Sequence, residues 1–422
     1  MKIALSKQIK KYLPFDLPEH PPLLWYEKLV IAFSAIILVF FRAPYEFANP
    51  QLWAEDGTIF LSQARTLGFQ SVVTPYAGYL HVLPRFIAFF AQLFPLANIP
   101  LVYFTASLLV LIFTCCYLAE VPWLPPKLKI IFPFVILLAP HNGEIFLTLT
   151  NIHWLCAILL PFIAFNTHRH GARHLIKTAL LLLVIGLSDP FVIVFYLLFV
   201  IRPLITPKTD RKDAFVLWLV ATLTVSIQLF IFHSNQPHEH LLIDTNIWHW
   251  IEATLVRPTA GLFLGKEVGW IGYTVPAASY ILGIGLSLFC AILSYAILTS
   301  GWQTNRVSVG FVVLACLSLL ASFVRLCDRP LLLAPFVAGE RYYFLPFVFV
   351  CFALVWFYYT AIGWRKQLGL YACCIVLLST ASVFQCPRKT DLHWRDHIAN
   401  LKNEKSISVP LNPPGWNVIL YR

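Results

Sequence analysis

The feature that most constrains this chain is a series of long apolar segments joined by short polar connections. One of them, LVYFTASLLVLIFTCCYLA (101–119), contains no charged side chain. A helix needs about 20 such residues to cross the ~30 Å hydrocarbon layer of a membrane. Hydrophobic residues make up 59% of the 422 residues and charged residues only 12%, against ~25% in soluble domains. These observations predict an all-α polytopic membrane protein.

Twelve apolar segments are candidates for membrane helices. They lie near residues 28–44, 79–97, 99–119, 128–140, 153–166, 174–188, 190–205, 214–233, 273–299, 307–326, 343–362 and 367–385. The first has no small-residue cleavage site and is followed by many others, so we expect it to be retained rather than removed as a signal peptide. No repeat or Gly/Ser linker is visible. We therefore predict one transmembrane domain (1–385) and a short C-terminal tail (386–422).

The charge pattern predicts the orientation in the membrane. Much of the formal charge of +11 comes from Lys and Arg in four short connections, at 125–129, 166–177, 206–213 and 364–367. The positive-inside rule places such loops in the cytoplasm. It accounts for the basic character without nucleic acid as a partner. It also places the loop 45–80, the C-terminal tail and most carboxylates on the external side.

The assignment of loops to the two sides of the membrane indicates that one apolar segment does not span it. With the basic loops inside, the segment 141–154 is external, yet three full crossings after the external loop 45–80 would put it in the cytoplasm. The run 79–97 is the best candidate for a re-entrant or interfacial segment, because it carries two prolines, a histidine and an arginine. We expect about eleven transmembrane helices plus this one segment.

Two adjacent acids, Glu55 and Asp56, follow the first predicted span in the stretch LWAEDGTIF. A short amphipathic helix over 58–67 would suit the membrane interface, with Ile59, Phe60, Ala64 and Leu67 on its apolar side. One interpretation is that Asp56 or Thr58 caps this helix. A cap needs only one acid and the second repels it, which favours a functional role for at least one of the two.

Two stretches carry groups suited to a phosphate. In GYLHVLPRF, His81 and Arg85 are four residues apart and share a face if the segment is helical. Ionisable groups at membrane depth usually face a protein cavity, although an arginine also extends to head groups. In GERYYFLP, the planar fork of Arg341 matches two phosphate oxygens, and Tyr342 adds a hydroxyl donor. The alternative for this pair is an aromatic and basic belt at a span end.

Polar and aromatic side chains suited to sugar binding bracket the segment HNGEIFLTLTNIHW (141–154). Amides, a carboxylate, an imidazole and an indole offer hydrogen bonds to hydroxyls and a flat surface for the ring. The candidates for sugar or acceptor contact are Asn142, Glu144, Asn151, His153, Trp154 and, from GLSDP (186–190), Asp189. The alternatives are an interfacial anchor for Trp154 and local turn chemistry for Asp189.

The ten cysteines do not indicate a metal site. Eight lie in apolar segments, where buried thiols are expected, and no CxxC spacing is present. Cys327 and Cys386 fall near predicted external span ends, and a disulfide between them stays open. No cofactor is predicted, and a role for a divalent cation is also left open.

Several motifs resemble the GT-C superfamily, polytopic glycosyltransferases that use polyprenyl-phosphate sugars. They are WAEDG, PYAGYLHVLPR, NIHW, GERYYFLP and LNPPGW. The resemblance implies a bacterial protein of the cytoplasmic membrane whose first external loop supplies the catalytic carboxylate, Asp56 or its neighbour Glu55. It implies a phosphate contact for Arg341. The short tail departs from larger members, which have a soluble C-terminal domain, and this puts acceptor choice in doubt.

The chemistry fits these residues. A phosphate with a second pKa of ~6 leaves without a strong general acid, so the main task is to deprotonate and align an acceptor hydroxyl. We expect Asp56 as the base, a polyprenyl-phosphate sugar as donor, an envelope glycan or lipid as acceptor, and inversion at the anomeric carbon. A transporter or flippase of a lipid-linked or anionic envelope precursor is the first alternative. An envelope polymerase or acyltransferase is the second.

Overall fold

The computed structural model describes residues 19–141, 143–166, 171–206, 211–235, 243–336 and 339–422, without the side chains of 267–274, 276–279, 302–303 and 325. It is 72% helical. Its α-helices are Trp25–Arg42, Pro44–Ala48, Ser62–Leu67, Val82–Ala91, Ile99–Leu118, Pro126–Leu138, Ile152–Ala164, Gly171–Gly186, Phe191–Val194, Tyr196–Ile205, Arg211–Ser234, Ile247–Ile251, Arg257–Thr274, Pro276–Leu298, Trp302–Phe323, Arg341–Thr360, Gly363–Ser382 and Trp394–Asn400. Asp56–Leu61 and Glu252–Val256 are π-helical, and Gly68–Val73, Leu96–Asn98, Val324–Leu326 and Pro330–Leu332 are 3₁₀-helical.

Five helical stretches among the described residues are long and apolar enough to cross a membrane. They are Leu96–Leu118, Arg211–Ser234, Tyr280–Leu298, Thr304–Phe323 and Arg341–Thr360. Their composition agrees with an all-α multi-pass membrane protein, while the count of about eleven spans is not confirmed. One of them, Tyr280–Leu298, exposes Tyr280, Ile281, Ile284 and Leu288. A contiguous apolar surface of this kind is suited to lipid rather than to water.

Three helical segments can be compared with the predicted spans. The run 190–205 is broken into Phe191–Val194 and Tyr196–Ile205. The helix Val82–Ala91 has ten residues and a length of about 15 Å, half the hydrocarbon thickness, as expected for a segment that does not cross. The helix Arg257–Thr274 was not predicted as an apolar segment, because Arg257 and Lys266 interrupt its apolar pattern.

The chain divides into two compact units. Among the described residues, the first unit comprises 19–23, 118–141, 243–336 and 339–385, and the second comprises 24–117, 143–166, 171–206, 211–235 and 386–422. In the first unit, the rings of Phe132 and Phe352 stack at 4.3 Å. Arg257 pairs with Glu252 at 2.7 Å. The first contact connects helices that lie far apart in sequence, and the second connects two consecutive helical segments.

The core of the second unit joins the first loop to the C-terminal tail. Its buried members are Leu52, Phe60, Leu61, Ala64, Ala88, Ala91, Ile99, Tyr103, Leu149, Ile152, Trp394, Leu401, Ile407, Val409, Leu411, Val418 and Leu420. Of the residues predicted for the apolar side of an interfacial helix, Phe60 and Ala64 are buried in this core, whereas Leu67 is exposed. The apolar side of the loop helix therefore packs on protein as well as facing outward.

The tail ends in an antiparallel hairpin, Ser406–Leu411 paired with Trp416–Tyr421. Alternate residues of the first strand are buried, as the two-residue period of a strand requires. The backbone N–H of Ala54 donates to the carbonyl of Asn412 at 2.5 Å. This hairpin is thus held against the segment that carries Glu55 and Asp56, and it makes the fold not entirely helical.

Candidate functional site

The carboxylate of Asp56 is buried and connects two segments of the second unit. It is 1% exposed. One oxygen accepts the Thr150 backbone N–H at 2.7 Å and the other accepts the Trp53 backbone N–H at 3.2 Å. Neither bond reaches an amide inside the helix that begins at Asp56, and its N-cap residue makes no side-chain cap bond. Asp56 therefore does not bond the first amides of this helix, and the Thr58 hydroxyl instead donates to the Ala54 carbonyl at 3.1 Å.

Burial changes the acidity of Asp56. Loss of hydration raises its pKa from 3.8 to about 7, against the opposing effects of the Thr150 N–H, the Lys389 charge and the Trp53 N–H. Desolvation disfavours the charged carboxylate, whereas hydrogen bonds to the charged form favour it. A carboxyl group with this pKa exchanges a proton near neutral pH, which is the property of a general base.

Glu55 leaves one oxygen without a partner. Its side chain is 9% exposed, and Oε1 accepts the Tyr76 hydroxyl at 3.4 Å. Oε2 is buried and has no hydrogen-bond partner within the described ranges. A buried unpartnered carboxylate oxygen is unfavourable unless a ligand or water meets it. Glu55 is therefore able to bind a hydroxyl group that enters the site.

A two-residue turn places aromatic side chains beside the acids. Tyr76 and Tyr79 exchange backbone hydrogen bonds at 3.0 and 3.2 Å. Between them, Ala77 and Gly78 have φ values of 55° and 89°. Two consecutive left-handed residues are typical of a type I′ turn, which closes a tight hairpin. The turn brings the Tyr79 ring onto His81, with centroids 4.1 Å apart.

Next to this turn, the imidazole of His81 contacts that of His153, which in turn contacts the buried carboxylate of Asp189. The rings of His81 and His153 lie 5.6 Å apart. Nδ1 of His153 is 2.8 Å from Oδ2 of Asp189. Burial lowers the pKa of His81 well below its usual value, and the nearby positive charges of His153 and Arg85 add to this effect. His81 is therefore neutral at physiological pH.

Arg85 makes hydrogen bonds and a ring contact within the second unit. Its guanidinium donates to Gln63 Oε1 at 2.8 Å and to the Ser71 carbonyl at 3.0 Å, and it lies over the Phe60 ring at 5.4 Å. The side chain is buried. These contacts fix the loop between the acids and the tyrosine turn. The Nε of Arg85 is buried and has no hydrogen-bond partner among the described residues, so a phosphate contact of Arg85 stays a prediction.

Asn151 and Trp154, two further candidates for sugar contact, make contacts within the second unit. Asn151 is buried, and its amide donates to the Glu144 carbonyl at 2.9 Å and to the Thr148 hydroxyl at 3.0 Å. It therefore supports its own loop. The Trp154 ring lies 5.2 Å from that of His153. Asn142 lies outside the described residues.

The predicted phosphate pair Arg341 and Tyr342 belongs to the first unit, where it opens the helix Arg341–Thr360. The Arg341 guanidinium lies 5.4 Å above the Tyr342 ring. Their role as a phosphate contact stays a prediction. A disulfide between Cys327 and Cys386 also stays a prediction.

The sequence did not identify the contribution of the tail to this region. Lys389 forms an ion pair with Glu46 at 3.0 Å and lies 5.7 Å from the Trp53 ring centre. Its charge also lowers the pKa of Asp56. The sequence around Lys389 contains no signal for this contact with the acid pair. The YAGY stretch (76–79), in contrast, is typical of a tight turn.

The arrangement combines a base, an open carboxylate oxygen, imidazole nitrogens and aromatic faces. No group of three metal-ligating side chains occurs in the part of the chain that the structure describes. The sequence matches no family model and no curated protein, and no solved structure matches it. The functional conclusion therefore depends on the chemistry of these residues and on the motifs of the sequence.

Proposed function

We propose that the protein is an integral membrane glycosyltransferase that moves a sugar from a polyprenyl-phosphate carrier to an acceptor hydroxyl of a glycan or lipid. The proposal includes the bacterial cytoplasmic membrane as location, about eleven crossings, and a site on the external face. A lipid-linked donor suits such a protein because the carrier reaches the site from the bilayer.

The observation that supports this proposal best is the buried acid pair beside an aromatic and imidazole cluster. Asp56 has a pKa of about 7 because it is desolvated. A general base is most effective when its pKa lies near the working pH. Glu55 keeps a buried oxygen open for a second contact. Tyr76, Tyr79 and Trp154 supply the flat surfaces on which the C–H face of a sugar packs.

The reaction would be a single displacement. Asp56 takes the proton of the acceptor hydroxyl while the acceptor oxygen attacks the anomeric carbon. The bond from that carbon to the phosphate oxygen breaks, and its electron pair leaves with the phosphate. Each oxygen of Asp56 already accepts one backbone N–H, and a carboxylate oxygen has room for a second hydrogen bond. Glu55 orients the acceptor through its open oxygen. One base and good alignment suffice for an inverting transfer.

Transfer by the purified protein in lipid vesicles tests the proposal. Wild type is supplied with polyprenyl-phosphate sugars and envelope lipid or glycan acceptors, beside Asp56→Asn and Glu55→Gln. We expect about a 10²–10⁴-fold loss in D56N, the usual contribution of a general base. Asp396→Asn is the matched control, because its carboxylate is 83% exposed and distant in sequence from the acid pair.

Full transfer by both acid variants would remove the catalytic assignment. Absence of transfer by wild type, together with facilitated movement of a lipid-linked precursor across the vesicle membrane, would instead identify a transporter.

A further inference from the structure

A fixed imidazole, that of His153, lies three residues after Thr150, whose backbone N–H donates to Asp56. Asp189 is fully buried, and its Oδ1 accepts the Phe191 backbone N–H at 2.6 Å while Oδ2 meets Nδ1 of His153 at 2.8 Å. Both oxygens of Asp189 are therefore used by the protein. The pairing commits Nδ1 of His153 and leaves Nε2 as its nitrogen for a ligand.

A second imidazole, that of His81, lies next to His153 and has a nitrogen without a partner. His81 is buried, and its Nδ1 makes no hydrogen bond to any residue that the structure describes. Its ring lies 5.6 Å from that of His153 and is stacked on Tyr79. Buried imidazole nitrogens normally have a partner, so an unpartnered one beside a fixed one points to a missing ligand.

The charges around these rings favour an anion. The Asp189 carboxylate stabilises positive charge on His153, because a buried carboxylate without a counter-charge is strongly unfavourable. Arg85 adds a further positive charge near His81. Cys156 is a further titratable group close to Asp189, and it is buried. The site therefore has a basic side at the imidazoles and an acidic side at Glu55 and Asp56.

The chain itself connects the two sides. Asp56 accepts the backbone N–H of Thr150, three residues before His153. Glu55 accepts the hydroxyl of Tyr76, and the turn that follows carries Tyr79 to His81. A substrate with an anionic group at one end of its reacting bond and a hydroxyl partner at the other matches this separation of charge.

We propose that His153, positioned by Asp189, binds the departing phosphate oxygen of the sugar donor through Nε2–H, with His81 as a second contact to the same phosphate. This inference rests on the proposed glycosyl transfer. As the C–O bond to the donor phosphate breaks, its electron pair passes to the phosphate oxygen, the acceptor proton passes to Asp56, and the Nε2–H of His153 donates to the oxygen that gains the charge. Hydrogen-bond donors that are already positioned where negative charge develops in the transition state increase the reaction rate strongly. Asp189 does not contact the substrate and is a positioning residue.

Two measurements on the full chain in detergent test this assignment. The first is binding of farnesyl phosphate, a short polyprenyl phosphate without a sugar, followed by calorimetry. We expect His153→Gln to weaken binding about tenfold or more, and Asp189→Asn to weaken it less, since the ring stays but its counter-charge is lost. His393→Gln is the matched control, because this histidine is 71% exposed in the tail.

The second measurement is rescue of transfer in His153→Ala by free imidazole. We expect the lost turnover to return as imidazole is added, with no effect of imidazole on Asp189→Asn. A residue that only supports the fold would not respond in this way, so rescue also covers the case in which the glutamine variant folds poorly.

The outcomes separate this inference from the proposed function. Binding of farnesyl phosphate to wild type that is lost in H153Q, without any sugar transfer by wild type, supports the phosphate site and rejects the transferase. Sugar transfer by wild type, with unchanged binding in H153Q and no imidazole rescue of H153A, supports the transferase and overturns the phosphate assignment.

Discussion

Replacing Asp56 by Asn should stabilise the protein at alkaline pH while greatly reducing its activity. The wild-type protein holds a carboxylate with 1% exposure, and burial raises its pKa from 3.8 to about 7. Because the folded pKa lies above the unfolded one, Asp56 favours the folded state most below pH 3.8, and this contribution is lost as pH rises through 7. Asparagine has nearly the same shape and carries no charge to desolvate.

The magnitude follows from the shift in pKa. A difference of about 3.2 units corresponds to roughly 4 kcal/mol of unfavourable charge burial once the carboxyl group is ionised. The amide of Asn accepts through one oxygen only, so either the Trp53 or the Thr150 N–H loses its acceptor, at about 1–3 kcal/mol. We expect D56N to be more stable than wild type by about 1–3 kcal/mol at about pH 8.5. Protonation of wild type should reduce this difference by about 2 kcal/mol at about pH 5.5.

Reversible unfolding in mixed detergent micelles at the two pH values measures these differences. The decrease in the D56N advantage between alkaline and acidic pH is the informative quantity, because the lost hydrogen bond contributes equally at both. Asp396→Asn, at an exposed carboxylate, should show no such decrease. A D56N effect that is the same at both pH values would refute the argument that Asp56 is a buried, proton-exchanging carboxyl group.

Three further changes test the surroundings of the acid pair. Gly57→Ala places a Cβ 2.5 Å from a Leu411 methyl group, so it should lower the free energy of unfolding by about 1–3 kcal/mol, and Leu411→Ala should cancel part of this loss in a double-mutant cycle. Lys389→Met removes a positive charge that favours ionised Asp56, so the pKa of Asp56 should rise and the midpoint of the pH–rate profile should move to higher pH. Gln228→Leu leaves the buried backbone N–H just before His81 without an acceptor, which should decrease stability by about 1–3 kcal/mol in a thermal unfolding assay.

Much of the second unit could be predicted from local sequence. Apolar runs indicated the helices, and the placement of Glu55 and Asp56 in a polar loop marked them as unusual. His153 and Asp189 were also singled out, because imidazole and carboxylate groups can form hydrogen bonds with sugar hydroxyls. The Pro- and Gly-rich stretch of the tail is unfavourable for a helix, but it does not give the pairing of the two hairpin strands.

The rest depends on contacts between distant segments. Asp56 meets the amide of Thr150, and the hairpin residue Asn412 meets Ala54; no periodicity encodes such pairings. Arg85 has the same sequence signal whether it binds a phosphate or a loop carbonyl. Desolvation of Asp56 also cannot be read from its neighbours in sequence, because it comes from the packing of the core around it.

The most direct test of the central claim is the pH dependence of sugar transfer by the wild-type protein. If Asp56 is the base, kcat should rise about tenfold per pH unit below about pH 7 and level off above it. The residual transfer of D56N should lack this rise. A wild-type rate that is constant from about pH 5 to 8, with D56N fully active, would contradict the assignment of Asp56 as a general base.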